Sequence, residues 1–404
     1  MHFEPKVNYD SLFAVRAIPD GTPAMDLSHT GGGPPPINFS YGLPDPSSFP
    51  VKELIEATAR VLEREGQQAL QYGPARGYDG LLQVLVDKLQ REEGITTSTN
   101  NLMLANGASQ VIELLCHVFV NPGDTVIVEG PSFIGALDTM QRLGAVPVQV
   151  ALDDEGMRID DLAGTLERLA RENRKPKFVY TMPNFHNPGA VTMTLPRRRE
   201  LLDLAREYSV MIVEDDAYRE LCYEGRPLPS LYELDRHGVV LRMGTFSKIL
   251  AAGMRIGWAL GPEKVLSKML LFKFDTGTNH FACRIAAEYC RDHLESHIAT
   301  LRHVYREKRN ATLAALEEHV GEAARWTKPQ GGFYVWMELS DNVKADRLAI
   351  EARREGVAYL KGSRFYVEGS HENTIRLSFS YLTVDEINEG IRRLGRAMRA
   401  SMSG

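Results

Sequence analysis

Between about residue 100 and residue 262 the chain repeats one pattern, a short run rich in β-branched residues followed by a stretch with helical spacing. VIVEG (126–130), PVQVAL (147–152), FVYTMP (178–183), MIVED (211–215), VVLRMG (239–244) and IGWALG (256–261) read as strands. SFIGALDTMQRLG and LPRRRELLDLAREY, lying between them, place apolar residues on one helical face. Alternation of this kind predicts an α/β unit, a mostly parallel central sheet with helices on both faces.

The character changes after about residue 262. KVLSKMLLFKF and a stretch from about 281 to 320 read as long helices. GGFYVWMEL (331–339) and TIRLSFS (374–380) read as strands, and ARREGVAYL (352–360) as a helix running into a strand, which predicts a smaller α+β unit. Residues 1 to about 50, with GGGPPP at 31–36, read as an extended arm. The expected organisation is an N-terminal arm (1–50) joining the small domain, a large ligand-binding domain (51–285) and a small C-terminal domain (286–404).

Bulk properties exclude several classes. A net charge of -6 without a dense Lys/Arg run leaves no field for phosphate backbones, so nucleic acid is not an expected partner. Cys116, Cys222, Cys283 and Cys290 are far apart and form no CxxC pair, which argues for reduced thiols rather than zinc or disulfides. MHFEPKVNYD lacks a basic start followed by an apolar stretch, and no window is long and apolar enough for a membrane span. A soluble, cytoplasmic protein is expected.

Chemistry concentrates where strands end, which in open α/β sheets is where ligands bind. FVYTMP runs into Asn184, His186 and Asn187, MIVED delivers Asp215 and then Tyr218, and VVLRMG delivers Thr245, Ser247 and Lys248. Each has a plain structural use: Asn187-Pro188-Gly189 makes a good turn, and Asp215 or Ser247 caps a helix well. Three successive loaded strand ends are harder to explain that way. In GTFSKILAAGMRIGW (244–258) a lysine sits among apolar residues, where lost hydration favours its neutral, nucleophilic form. NGASQVIELLCHVF (106–119) opens a helix with small residues, and free N–H groups with the helix dipole make an anion site. An amine nucleophile, a phosphate cradle, an aspartate, a tyrosine and an asparagine are together what pyridoxal 5'-phosphate requires.

The sequence resembles the fold type I pyridoxal-phosphate enzymes from about residue 38 to its end, specifically class I/II aminotransferases near the 2-aminoadipate aminotransferase branch. HNPGA (186–190), EDDAY (214–218), GTFSKILAAGMRIGW and TIRLSFS carry the resemblance. It implies Lys248 as the Schiff-base lysine and proton carrier, Asp215 as partner of the ring nitrogen, and Tyr218 and Asn187 as partners of the ring oxygen. It further implies a phosphate site of Ala108, Ser109, Gln110, Thr245, Ser247 and Arg255, with Phe133 stacked on the ring and Arg376 taking the substrate carboxylate. Tyr41 and Gly42 fall near the substrate, and Tyr72 and Thr278 match residues that reach into a neighbouring subunit, which implies a homodimer with shared sites. The implied reaction is amino transfer between an α-amino acid and a 2-oxo acid.

The chain departs from the family's pattern at several positions. Ser40-Tyr41 stands for a Gly-Gly, His186 for Gln, Ala190 for Gly, Ala252 for Pro and Leu82 for Arg. Tyr41, His186 and His280 therefore leave open a second reading on the same scaffold, β/γ-elimination, replacement or cyclisation. A transcription regulator of this fold would need a basic recognition helix ahead of the family region, and none is expected here. For a dicarboxylic substrate the candidate second cations are Arg16 and Arg76.

Overall fold

The six predicted strands of the large unit are present, at Thr125–Gly130, Val146–Asp153, Phe178–Thr181, Met211–Asp215, Val240–Thr245 and Gly257–Leu260. In the computed structural model, which describes residues 7–14 and 36–402, they belong to an eight-stranded sheet. Its order from edge to edge is 102–105, 257–260, 240–245, 211–215, 178–181, 125–130, 146–153 and 156–157. From 240–245 through 146–153 the strands are parallel. Both faces are covered, so Phe178–Thr181 and Val240–Thr245 are buried at every position and read as continuous apolar runs rather than alternating ones.

Gly257–Leu260 instead lies antiparallel to both its neighbours. The link from Thr245 is too short for a helical crossover and is filled by one π-helical turn, Ser247–Ala251, and a 3-10 turn, Ala252–Met254. Arg255 closes it in the left-handed region at φ 55°. This reversal sets Lys248 and Arg255 on one tight loop beyond the strand end. Leu102–Ala105, which the sequence reading did not anticipate, is a strand without a β-branched residue. Its state is set by pairing with Gly257–Leu260, a tertiary override of local preference.

The smaller unit has an antiparallel sheet in the order 324–326, 334–339, 374–378, 360–361. Ile37–Asn38 pairs in parallel with Val357–Ala358, so the arm is stitched to this unit. A 40-residue helix, His280–His319, runs unbroken through the expected 285/286 boundary. It anchors the arm as well: Lys308 Nζ donates to Asp45 Oδ2 at 2.7 Å, and the Asp45 N–H donates to the Tyr305 hydroxyl at 3.0 Å. Residues 40–42 are thereby held over the strand ends.

Among the described residues, no helix is long and apolar enough to cross a membrane. No cluster of three or more His, Cys, Asp or Glu residues could hold a metal there, and the four cysteines are free and buried.

Gly257 is where the reversed strand meets the start of helix Ala108–Phe119. A Cβ there would lie 2.4 Å from the Gly107 carbonyl carbon and 2.5 Å from the Ala108 nitrogen, both backbone atoms. Gly257→Ala is expected to destabilise the protein by about 2 kcal/mol or more, measured by denaturant unfolding; an unchanged midpoint would show that this junction is slack.

Candidate active site

The ends of Phe178–Thr181, Met211–Asp215 and Val240–Thr245 converge, and the arm and the small unit close over them. Asp215 ends its strand 3% exposed. Its Oδ2 accepts from the Tyr180 hydroxyl at 2.6 Å, while its Oδ1, equally buried, has no partner. Burial pushes the carboxyl up to about 6, with the Tyr180 hydrogen bond, the Ala217 N–H and His186 acting against that rise and Asp216 adding to it. Tyr180 had no assigned role in the sequence reading. The available signal was its place inside an apolar strand, since a buried tyrosine hydroxyl needs an acceptor.

Lys248 Nζ donates to the Gly42 carbonyl at 2.9 Å, and lies 5.5 Å from the Phe333 ring centroid and 6.0 Å from that of Tyr218. Burial, followed by the nearby Arg376 and Arg255, pushes its pKa down to about 8; Asp215 pulls the other way. The amine is thus poised close to neutrality.

Arg376 is buried in the small unit's sheet. Its Nη1 donates to Asn187 Oδ1 at 2.9 Å and its Nη2 to the Ser40 carbonyl at 2.7 Å. Its Nε has no hydrogen bond. The guanidinium lies 4.3 Å from the Tyr334 ring and 5.1 Å from the Phe365 ring. Tyr334 also pairs hydroxyl to hydroxyl with Tyr218 at 3.0 Å, and it fills the space a side chain at Gly42 would need, since a Cβ there would sit 2.1 Å from Tyr334 Oη. Tyr334 is thus a member of the site that the sequence reading missed inside GGFYVWMEL. Tyr41 meets Tyr381 edge to face at 6.2 Å.

The anion cradle forms where Gly107, at φ 82°, opens the helix that starts at Ala108, with no side chain capping it. Arg255 leans over it: a Cβ at Gly107 would sit 2.3 Å from Arg255 Nη2, and that nitrogen donates to the Asn106 carbonyl at 3.3 Å. Ser109 is exposed at the helix start. Thr245 Oγ1 accepts from the Ser247 N–H at 3.0 Å and donates to the Ile256 carbonyl at 3.2 Å. Gln110 is engaged elsewhere. Its Oε1 accepts from the Asn106 N–H at 2.8 Å, its Nε2 donates to Asp275 Oδ2 at 3.2 Å, and its own N–H bonds the Gly107 carbonyl. Phe133 is half-buried at the start of helix Ile134–Arg142. Thr278 has a buried hydroxyl without a partner, and Tyr72 is 82% exposed.

The remaining sequence candidates have local partners. His186 Nδ1 accepts from the Gly189 N–H at 3.0 Å, and its Nε2 lies 3.0 Å from Glu129 Oε2. His280 accepts from Arg284 Nε at 3.0 Å and packs edge-on to Tyr78. Arg76 donates from Nη1 to the carbonyls of Asn100 and Leu102, and Arg16 lies outside the described residues.

This donor set fits pyridoxal 5'-phosphate. A buried carboxylate oxygen without a partner suits a protonated ring nitrogen, a bare helix start beside an arginine suits a phosphate, and a lysine of depressed pKa suits an aldehyde. Fold and site together define a pyridoxal-phosphate enzyme of fold type I.

Comparison with known proteins agrees. Residues 34–394 match the family described as aminotransferase class I and II. Aromatic-amino-acid aminotransferase 1 of Thermococcus litoralis is 38% identical over 402 residues, 98% of this chain and 96% of its own. A multiple substrate aminotransferase from Thermococcus profundus superposes with a TM-score of 0.91 at 37% identity, covering 98% of this chain and 99% of that one. The α-aminoadipate aminotransferase of Thermus thermophilus, solved with N-(5'-phosphopyridoxyl)-L-leucine, gives 0.85 at 35% identity, covering 91% and 93%. The chain belongs to the class I and II aminotransferase family and is a pyridoxal-phosphate-dependent aminotransferase. Nothing in these relatives favours elimination, replacement or cyclisation.

The raised Asp215 pKa carries a stability consequence. An acid whose folded pKa lies above its unfolded value of about 3.9 loses stabilisation as pH rises through that interval, here up to about 6. Asp215→Asn removes this loss. The cofactor-free variant is expected to be more stable than the parent by about 3 kcal/mol above pH 6 and no more stable below pH 4, with turnover lost. Equal unfolding curves across the pH range would show that the buried carboxylate carries no strain.

Proposed function

We propose that the chain transfers the amino group of an α-amino acid to a 2-oxo acid at this site, with Lys248, Asp215 and Tyr218 as the catalytic residues. The observation that carries the reading is the buried Lys248 amine, whose Nζ donates to the Gly42 carbonyl at 2.9 Å and which feels both Asp215 of the large sheet and Arg376 of the small one. When bound, pyridoxal phosphate supplies an aldehyde and an electron-withdrawing ring. Every other part of the work falls to side chains.

Arg376 receives the substrate carboxylate. Its fork offers parallel donors, and the Asn187 and Ser40 contacts hold it in place while the Tyr334 ring supports its face. Lys248, with a pKa of about 8, would take the proton from the substrate's Cα and release it away from that carbon, since a base close to ambient pH both accepts and releases protons readily. Asp215 Oδ1 holds a proton on the ring nitrogen. When the cofactor is bound, Tyr218 and Asn187 would hydrogen-bond the ring oxygen, Phe133 would pack on the ring, and Ala108, Ser109, Thr245, Ser247 and Arg255 would hold the phosphate. Gln110 then shapes the cradle through Asn106 rather than by touching the anion.

Tyr41 and Tyr381 stand beside residues 40 and 42, whose carbonyls serve Arg376 and Lys248. They give the substrate side chain an aromatic wall. An apolar or aromatic donor fits this pocket better than a dicarboxylic one, in keeping with the aromatic-amino-acid relative. Exposed apolar side chains at Ile55 (65%), Leu70 (68%), Tyr72 (82%) and Phe274 (83%) support a homodimer in which Tyr72 reaches the neighbouring subunit's site, whereas Thr278, expected to do the same, is buried within its own protomer. The two sheets and the pairing of Ile37–Asn38 with Val357–Ala358 support a division into an arm (1–50), a large domain (51–285) and a small domain (286–404). A cytoplasmic enzyme of amino-acid metabolism is the setting this implies.

The reading is tested by recording the visible spectrum of the purified protein before and after adding single amino acids without any 2-oxo acid. A yellow band that bleaches with aromatic or apolar donors supports it; a band unmoved by every amino acid refutes it. Lys248→Ala is expected to lower turnover by at least about a thousandfold while the fold persists by circular dichroism. Arg376→Lys is expected to weaken amino-acid capture by about 2–4 kcal/mol, read from kcat/KM, and unchanged capture would remove Arg376 from the site.

A further inference from the structure

Asp275 lies outside every role assigned above, yet it gathers more of the cradle than any residue that faces the phosphate. Its Oδ2 accepts from Asn106 Nδ2 at 2.7 Å and from Gln110 Nε2 at 3.2 Å, so it grips both ends of the turn that contains Gly107. Its Oδ1 accepts from Lys273 Nζ at 2.7 Å and from the Gly277 N–H at 3.2 Å. The Lys273 side chain is fully buried, and a buried ammonium needs an anion beside it. Asn106 in turn passes its carbonyl to Arg255 Nη2. One carboxylate therefore connects the 273–277 segment to the helix start and, through Asn106, to the arginine above it.

We infer that Asp275 is a positioning residue for the cofactor phosphate, fixing the Asn106–Gln110 turn so that the helix start and Arg255 face the same anion. It does not touch the phosphate, and as an anion it would repel one if it turned inward; Lys273 holds it outward. Gln110 is drawn into the same role, which accounts for an amide that resembles a phosphate ligand being spent on Asp275 and the Asn106 N–H. The inference rests on the pyridoxal-phosphate reading of the site.

The test separates positioning from general support. The full chain, freed of cofactor, is titrated by visible absorbance with pyridoxal phosphate and, separately, with pyridoxal, which carries the same aldehyde and ring but no phosphate. The ratio of the two dissociation constants isolates the phosphate's share. Asp275→Asn is expected to weaken pyridoxal phosphate binding about tenfold or more and to leave pyridoxal binding within about twofold of the parent. Asn106→Ala, which leaves the Lys273–Asp275 pair intact, is expected to show the same selective loss and decides the matter if Asp275→Asn does not fold. Equal weakening of both ligands, or none, overturns the inference. If the parent chain itself forms no yellow complex with pyridoxal phosphate, it is the underlying reading of the site that falls.

Discussion

A carboxylate buried at the end of a parallel strand, with one oxygen satisfied and the other bare, is the constraint on which the site depends. Charges at such depth are costly unless paired. Tyr180 relieves one oxygen of Asp215 and leaves the other to a cation that the described residues do not provide. The protein thus carries a local debt of solvation that a protonated ring nitrogen would offset under the proposed function, a form of preorganisation in which stability is given up for binding. Lys248 shows the same physics with the opposite charge. It too is removed from water, and two arginines nearby lower its pKa further.

Holding a half-satisfied acid in place requires a rigid frame, and the frame is itself ionic. Next to Asp215, Asp216 accepts from Arg242 at 2.7 Å and from Asn184 at 2.7 Å. Arg242 also meets Glu93 at 2.7 Å, and Arg198 donates to Asn184 at 2.7 Å. These groups tie the strand ends that carry Asn187, Asp215 and Lys248 to one another beneath the cavity. On the far side, the arm comes in by backbone pairing and the Asp45–Lys308 ion pair. The site is therefore assembled from the large sheet, the small sheet and the arm, and the contact from Arg376 to Asn187 bridges the two sheets directly.

Much of this was legible in the sequence because parallel strands buried on both faces leave their polar residues at the ends. MIVED and VVLRMG advertise Asp215 and Lys248 for that reason, whereas Arg376 in TIRLSFS is marked only by the family resemblance. What was hidden depends on partners distant in the chain. Tyr180 reads as core until Asp215 is placed against it. Asp275 lies 169 residues from the Asn106 it holds, and nothing local marks it. Gln110 matches a phosphate ligand by motif but is claimed by that same acid. Leu102–Ala105 becomes a strand only through its pairing with Gly257–Leu260, and the helix His280–His319 continues across the expected 285/286 boundary.

The central claim is that Asp215 waits as a destabilised acid for a cation to complete it. Infrared difference spectroscopy of its carboxyl stretch as a function of pH, with Asp215→Asn as the reference, measures this directly in the protein with and without pyridoxal phosphate. A carboxyl that titrates near 6 in the cofactor-free chain and stays ionised to clearly lower pH once the cofactor is bound is the predicted result. A carboxyl that titrates at an ordinary aspartate value in both states would contradict the account.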